Sequence, residues 1–187
     1  MTTANGKSGK LKRMVFAGVF ATLIAVCSWI SVPVAIPFTL QTFGVFSALL
    51  LLGGVWGTVS ICVYLALGAA GLPVFSGFSG GLGHFFGSTG GYLLGFILMG
   101  IVYIILEKAV GSSNIVRITA LSIGLILCYA LGTYMFMRFY GINASEGFSA
   151  AVTACVLPYV LPDGAKLFLA IILAKKINKP FRSILGK

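Results

Sequence analysis

Residues 14–32 read MVFAGVFATLIAVCSWISV, nineteen positions without a charge. A helix that crosses the hydrocarbon of a bilayer needs about 20 apolar residues, so this run predicts a membrane span. A secretory signal has a shorter apolar run, and here further runs follow. Residues 41–52 and 55–70 are two apolar stretches divided by Gly53-Gly54. Together they are too long for one helix, which predicts a tight hairpin of two shorter ones. Residues 91–110, 115–137 and 150–174 complete six. The fold expected is an all-α membrane protein, a six-helix transmembrane bundle filling residues 14–174 as a single domain.

Composition excludes the alternatives. The chain is 59% hydrophobic and 9% charged, with 25 glycines in 187 residues, whereas a soluble domain carries roughly a quarter charged residues. The net charge of +10 would suit nucleic acid if it were clustered on one surface. It stands instead at segment ends. Lys7, Lys10, Lys12 and Arg13 lie in the N-terminal tail (residues 1–13), and five basic residues lie in the C-terminal tail (residues 175–187). Lys108 and Arg117 flank the short connection 111–114. With six helices these eleven of the thirteen basic residues fall on one side, and the positive-inside rule then puts both tails in the cytoplasm of a plasma-membrane protein. No nucleic-acid groove is expected. The four cysteines fall in separate apolar runs, without the spacing of a zinc site or a disulfide framework.

Three connections remain for the outer side: 33–40, 71–90 and 138–149. The middle one, between the third and fourth helices, interleaves Gly71, Gly77, Gly80, Gly81, Gly83, Gly87 and Gly90 with Phe75, Phe78, Phe85 and Phe86. Such a segment is expected to fold against the protein, where irregular backbone at membrane depth is tolerated if buried or lining a cavity; a surface lid packing its own phenylalanines is the other reading. It is no phosphate cradle, since it lacks GxxxxGK[ST] and its glycine spacing misses GxGxxG. An ATPase, if one is used, is therefore another chain.

The last helix carries the most informative cluster. Asp163 is the sole aspartate of the chain, and Tyr159, Asp163 and Lys166 are spaced by four and three residues, which puts them on one helical face. Ionisable groups inside a bilayer are costly and point by default to a functional site. Asp163 and Lys166 either neutralise each other or serve a ligand with its own donors and acceptors. Pro158 and Pro162 also free carbonyls one turn earlier. The uncharged stretch 33–42 offers Thr39 and Gln41, either as ligand contacts or as an ordinary proline-rich turn. His84, the single histidine, has a packing or a proton-relay reading. Ala17, Ala21 and Ala25 form a row of small residues that permits close approach of another helix. No HExxH or paired-carboxylate arrangement is present, so no enzyme is expected.

Three blocks carry a resemblance: Pro37-Phe-Thr-Leu-Gln-Thr42, the run from Gly71-Leu-Pro-Val-Phe75 through Gly80-Gly81 to Thr89-Gly-Gly-Tyr92, and Tyr159-Val-Leu-Pro-Asp-Gly-Ala-Lys166. Over nearly the whole chain the sequence resembles the BioY family, the biotin-specific substrate-binding subunits of energy-coupling factor (ECF) vitamin transporters. The resemblance implies a six-helix bundle that holds the vitamin near the outer surface, under the first and third outer loops and against helices four to six. It implies biotin as transported ligand, no cofactor, and a separate transmembrane coupling protein with two cytoplasmic ATP-binding subunits as partners. Asp163 and Lys166 become ligand-binding groups, joined by Tyr159, Thr39, Gln41 and Tyr92 from the same blocks and by Ser79 and Gly80 of the glycine-rich loop. Ala17, Ala21 and Ala25 become the docking face for the coupling protein. A subunit for another vitamin, a proton-coupled secondary transporter using Asp163, and a small membrane enzyme stand beside this reading as alternatives.

Overall fold

The computed structural model describes residues 3–34 and 36–185. Met1, Thr2, Gly186 and Lys187 of the two tails, and Ala35 of the first outer stretch, lie outside the described residues. Helix α1 (Thr3–Trp29) is followed by strands β1 (Ser31–Val32) and β2 (Phe38–Thr39), then α2 (Gln41–Leu52) and α3 (Gly54–Ala69). After a 3-10 turn at Ser76–Phe78 come α4 (Gly83–Phe86), α5 (Gly90–Val110), α6 (Asn114–Tyr140), α7 (Ala144–Cys155) and α8 (Leu157–Leu185). Among the described residues, four stretches are long and apolar enough to cross a membrane: Gly9–Trp29, Gly90–Val110, Asn114–Tyr140 and Gly147–Asn178.

The α2–α3 hairpin turns on one residue. Gly53 has φ +83°, a conformation that side-chain-bearing residues rarely adopt. Helices of 12 and 16 residues extend roughly 18 and 24 Å at 1.5 Å per residue, less than the ~30 Å of bilayer hydrocarbon. Ten of the twelve residues of α2 are buried, because α2 packs against α1, α3 and α8 together. A helix covered on all sides has no use for a polar face. α5 and α6 form the most extensive helix pair, and glycines let their backbones meet: a Cβ on Gly95 would come within 2.8 Å of Cys128 Cα, and one on Gly124 within 2.9 Å of Met99 Cα.

Three expectations are corrected. The first helix stops at Trp29 rather than residue 32, because Ser31 and Val32 pair antiparallel with Thr39 and Phe38. The connection expected at 138–149 is mostly helix: α6 runs on to Tyr140, closes on left-handed Gly141 (φ +66°), and α7 begins at Ala144. The last run, expected as one helix over 150–174, breaks at Val156 (φ −122°, ψ −56°) into α7 and α8. Pro158 then stands in the first turn of α8, where a missing amide proton costs nothing.

Candidate functional site

At the end of the bundle opposite the Gly53 and 111–114 turns lies a cavity of about 580 Å³. Its walls are the N-terminal parts of α2, α5 and α8 and the C-terminal half of α6. Residues of the β1–β2 hairpin and of the glycine-rich loop roof it. All eight residues singled out as ligand contacts line this one space: Thr39, Gln41, Ser79, Gly80, Tyr92, Tyr159, Asp163 and Lys166. Phe75, Leu93, Phe96 and Leu125 supply apolar wall. A largely apolar pocket of a few hundred cubic ångströms with a few fixed polar groups is the usual form of a small-molecule site.

Asp163 and Lys166 are 3% and 5% exposed and form an ion pair, Lys166 Nζ to Asp163 Oδ1, at 2.7 Å. Asp163 also accepts from Thr42 Oγ1 on α2 (2.8 Å, to Oδ1) and from the Tyr129 hydroxyl on α6 (2.6 Å, to Oδ2). Three helices thus converge on one carboxylate. An ammonium group has three protons; that of Lys166 bonds Asp163 and lies 4.4 Å from the centroid of the Phe38 ring, a cation–π contact.

The other predicted residues hold the rim. The Tyr159 hydroxyl donates to the Ile36 carbonyl, and its ring stacks on Phe38 at 6.1 Å. Gln41 Nε2 donates to the Tyr64 hydroxyl at 2.9 Å, and the Gln41 amide to Thr39 Oγ1 at 3.3 Å. Ser79 Oγ donates to the Ser76 carbonyl (2.7 Å). The Tyr92 hydroxyl donates to the Cys155 carbonyl at 3.3 Å, a group freed at the α7–α8 break, where the Tyr159 amide turns to Val156 instead. The last turn of α1 secures the glycine-rich loop: Ser28 Oγ donates to Val74 O (2.6 Å), and Trp29 Nε1 to Pro73 O (2.9 Å).

Tyr129, the Thr42 hydroxyl and the Phe38 contact are features of this cavity that the sequence pattern alone does not single out. The available signal for Tyr129 was a phenol in the middle of an apolar run, since a buried tyrosine hydroxyl seeks a partner. His84 lines the cavity with its ring edge-on to Phe75 at 5.4 Å.

The proposed docking row is corrected. Ala17, Ala21 and Ala25 are 2%, 1% and 5% exposed within the chain itself, on the face of α1 that meets α2 and α3. Their small side chains serve close packing inside the bundle. The exposed face of α1 carries Met14, Val15, Gly18, Val19, Thr22 and Val26 instead.

Residues 1–183 match the sequence profile of the BioY family. The chain belongs to the BioY family. Among BioY relatives it is 38% identical to the biotin transporter BioY of Thermotoga maritima over 170 residues, covering 90% of this chain and 97% of the relative. It is 37% identical to the probable biotin transporter BioY of Pyrococcus horikoshii, over 90% and 98% of the two chains. The BioY fold is further matched by a crystal structure of the S-component for biotin from an ECF-type ABC transporter, with a TM-score of 0.78 and 23% identity over 96% of this chain and 95% of the other. With its apolar helices and transporter relatives, this BioY chain is a multi-pass membrane protein.

Proposed function

We propose that the chain is the membrane subunit that binds biotin for uptake, energised by a separate coupling protein and two ATP-binding subunits, and that it catalyses no reaction. The observation that carries this reading is the buried Asp163–Lys166 pair in the wall of the 580 Å³ cavity. A carboxylate has about four lone-pair positions; the protein fills three on Asp163. One acceptor position therefore remains on Oδ2, on the same carboxylate that Lys166 pairs through Oδ1. The ureido ring of biotin offers an N–H next to a carbonyl, the complement of that pair. The valerate carboxylate would meet the negative charge of Asp163 there, so it is assigned to the rim, and the hydrophobic part of the vitamin to the wall of Phe75, Leu93 and Phe96.

Topology follows the charge pattern: six crossings, α2 and α3 included, with a membrane domain over 14–174 and the basic tails 1–13 and 175–187 in the cytoplasm. The cavity then faces outward across the plasma membrane. The test is binding of labelled biotin to purified protein in detergent, beside the double variant Asp163→Asn, Lys166→Ala. Tight binding that the variant loses is the expected result. Well-folded wild-type protein that ignores biotin overturns the reading, and competition by thiamine or riboflavin would then favour a subunit for another vitamin.

A further inference from the structure

We infer that Tyr129, assisted by Thr42, is a positioning residue that sets which ligands the cavity accepts, an inference resting on the biotin reading above. Asp163 belongs to α8, and its other partner, Lys166, belongs to the same helix one turn on. That pair alone fixes Oδ1 and leaves the carboxylate plane able to swing, because the terminal torsion of an aspartate is broad. Tyr129 removes this freedom from outside. Its hydroxyl reaches from α6 to Oδ2 at 2.6 Å, while Thr42 reaches from α2 to Oδ1 at 2.8 Å. Both oxygens are then held from separate helices.

The consequence concerns the remaining acceptor position. With one lone pair of Oδ2 taken by Tyr129, the direction of the other is fixed. Tyr129 is 9% exposed and Asp163 3%, so little water competes there, and a ligand N–H gains a charge-assisted bond. A ligand carrying an alkyl group at that point leaves a buried carboxylate oxygen facing carbon, which binding sites reject strongly. Tyr129 therefore acts on selectivity through Asp163.

The experiment displaces labelled biotin from the purified protein with two competitors, biotin and biotin methylated on both ureido nitrogens. Tyr129→Phe keeps the ring and removes the hydroxyl. The expected result is a fall of about tenfold in affinity for biotin with the methylated competitor unchanged, so that the wild-type preference narrows by that factor. Equal weakening of both competitors marks a merely structural loss and overturns the inference, as does an unchanged preference. Should Tyr129→Phe fail to fold, Thr42→Val carries the same comparison: a narrowed preference supports the inference, and equal weakening overturns it. Wild-type protein that binds no biotin overturns the underlying reading and the inference with it, which separates the two failures.

Discussion

Trp29 at the end of α1 lies nearly parallel to Phe78 of the glycine-rich loop, with ring centroids 5.0 Å apart and planes 25° from parallel. Phe78 has φ +55°, a region that residues with side chains seldom occupy, so the stack holds a strained residue in place. The same indole donates to the Pro73 carbonyl, and one residue further Ile30 O accepts from the Leu40 amide (3.0 Å). The last turn of α1 thus grips both rim segments of the cavity. Trp29→Ala removes a stack worth about 1 kcal/mol and a hydrogen bond of similar size. Dissociation of labelled biotin, followed by chase with unlabelled vitamin, is expected to quicken by about 30-fold. An unchanged rate would show that the rim does not depend on this clasp.

Asp163 and Lys166 stabilise each other as well as lining the cavity. Removing one member of a buried pair leaves an uncompensated charge and costs about 3–5 kcal/mol, whereas replacing both is far milder. Lys166→Ala is therefore expected to lower the thermal midpoint in detergent and to abolish biotin binding. The double variant Asp163→Asn, Lys166→Ala should recover much of the midpoint and none of the binding. Thermal unfolding of the three proteins, read with biotin binding, checks this; a double variant no more stable than the single one would contradict it.

What punctuates the chain governs how much of the fold is legible in its sequence. α2 is found at 41–52 as expected, and α3 and α5 within a residue of their expected bounds, because Gly53 and Gly111 adopt positive φ where the apolar runs stop. The face shared by Tyr159, Asp163 and Lys166 followed from helical spacing alone. The break at Val156 did not, since hydropathy continues unchanged through Cys155 and Leu157 and only the backbone requirement of Pro158 marks it. Ala17, Ala21 and Ala25 failed for another reason. A row of small residues says that something packs closely and does not say whether the neighbour is α2 or another protein. Tyr129 is 34 residues from Asp163, and no local pattern joins them.

Glu107 has a role that charge counting had no means of finding. Its Oε2 accepts from the Gly54 amide at 2.8 Å, so a carboxylate on α5 caps the first turn of α3, where free amides and the helix dipole favour negative charge. A Cβ on Gly54 would stand 3.0 Å from that oxygen and 2.9 Å from Ile104 Cγ1, so the turn needs glycine to admit the cap. Glu107→Ala is expected to destabilise the protein by about 1–2 kcal/mol and to leave biotin affinity intact, since the cavity is at the other end of α3. A thermal midpoint equal to that of the wild type would remove the cap from the account.

At two glycines an added side chain is expected to weaken binding by different routes. Gly80 lines the cavity, and a Cβ there would lie 2.1 Å from the Leu72 carbonyl oxygen; backbone must move to admit it. The neighbouring Gly81 amide is held to the Gly68 carbonyl at 2.7 Å, so the displacement stays in the loop and is passed to Ser79, not to the helices. Gly80→Ala is expected to weaken biotin binding by about tenfold or more with little change in thermal midpoint. Gly95→Val acts on the α5–α6 contact instead, where Cys128 Sγ and Cα stand 2.6 and 2.8 Å from the new Cβ. Overpacking of this kind costs about 1–3 kcal/mol, so its midpoint should fall first. Its binding should fail because Tyr129 and Tyr92, carried by the separated helices, lose their partners on α8 and at Cys155. Binding isotherms and melting curves for the two variants distinguish these routes. A Gly80→Ala protein that binds normally would mean the loop does not form part of the ligand site.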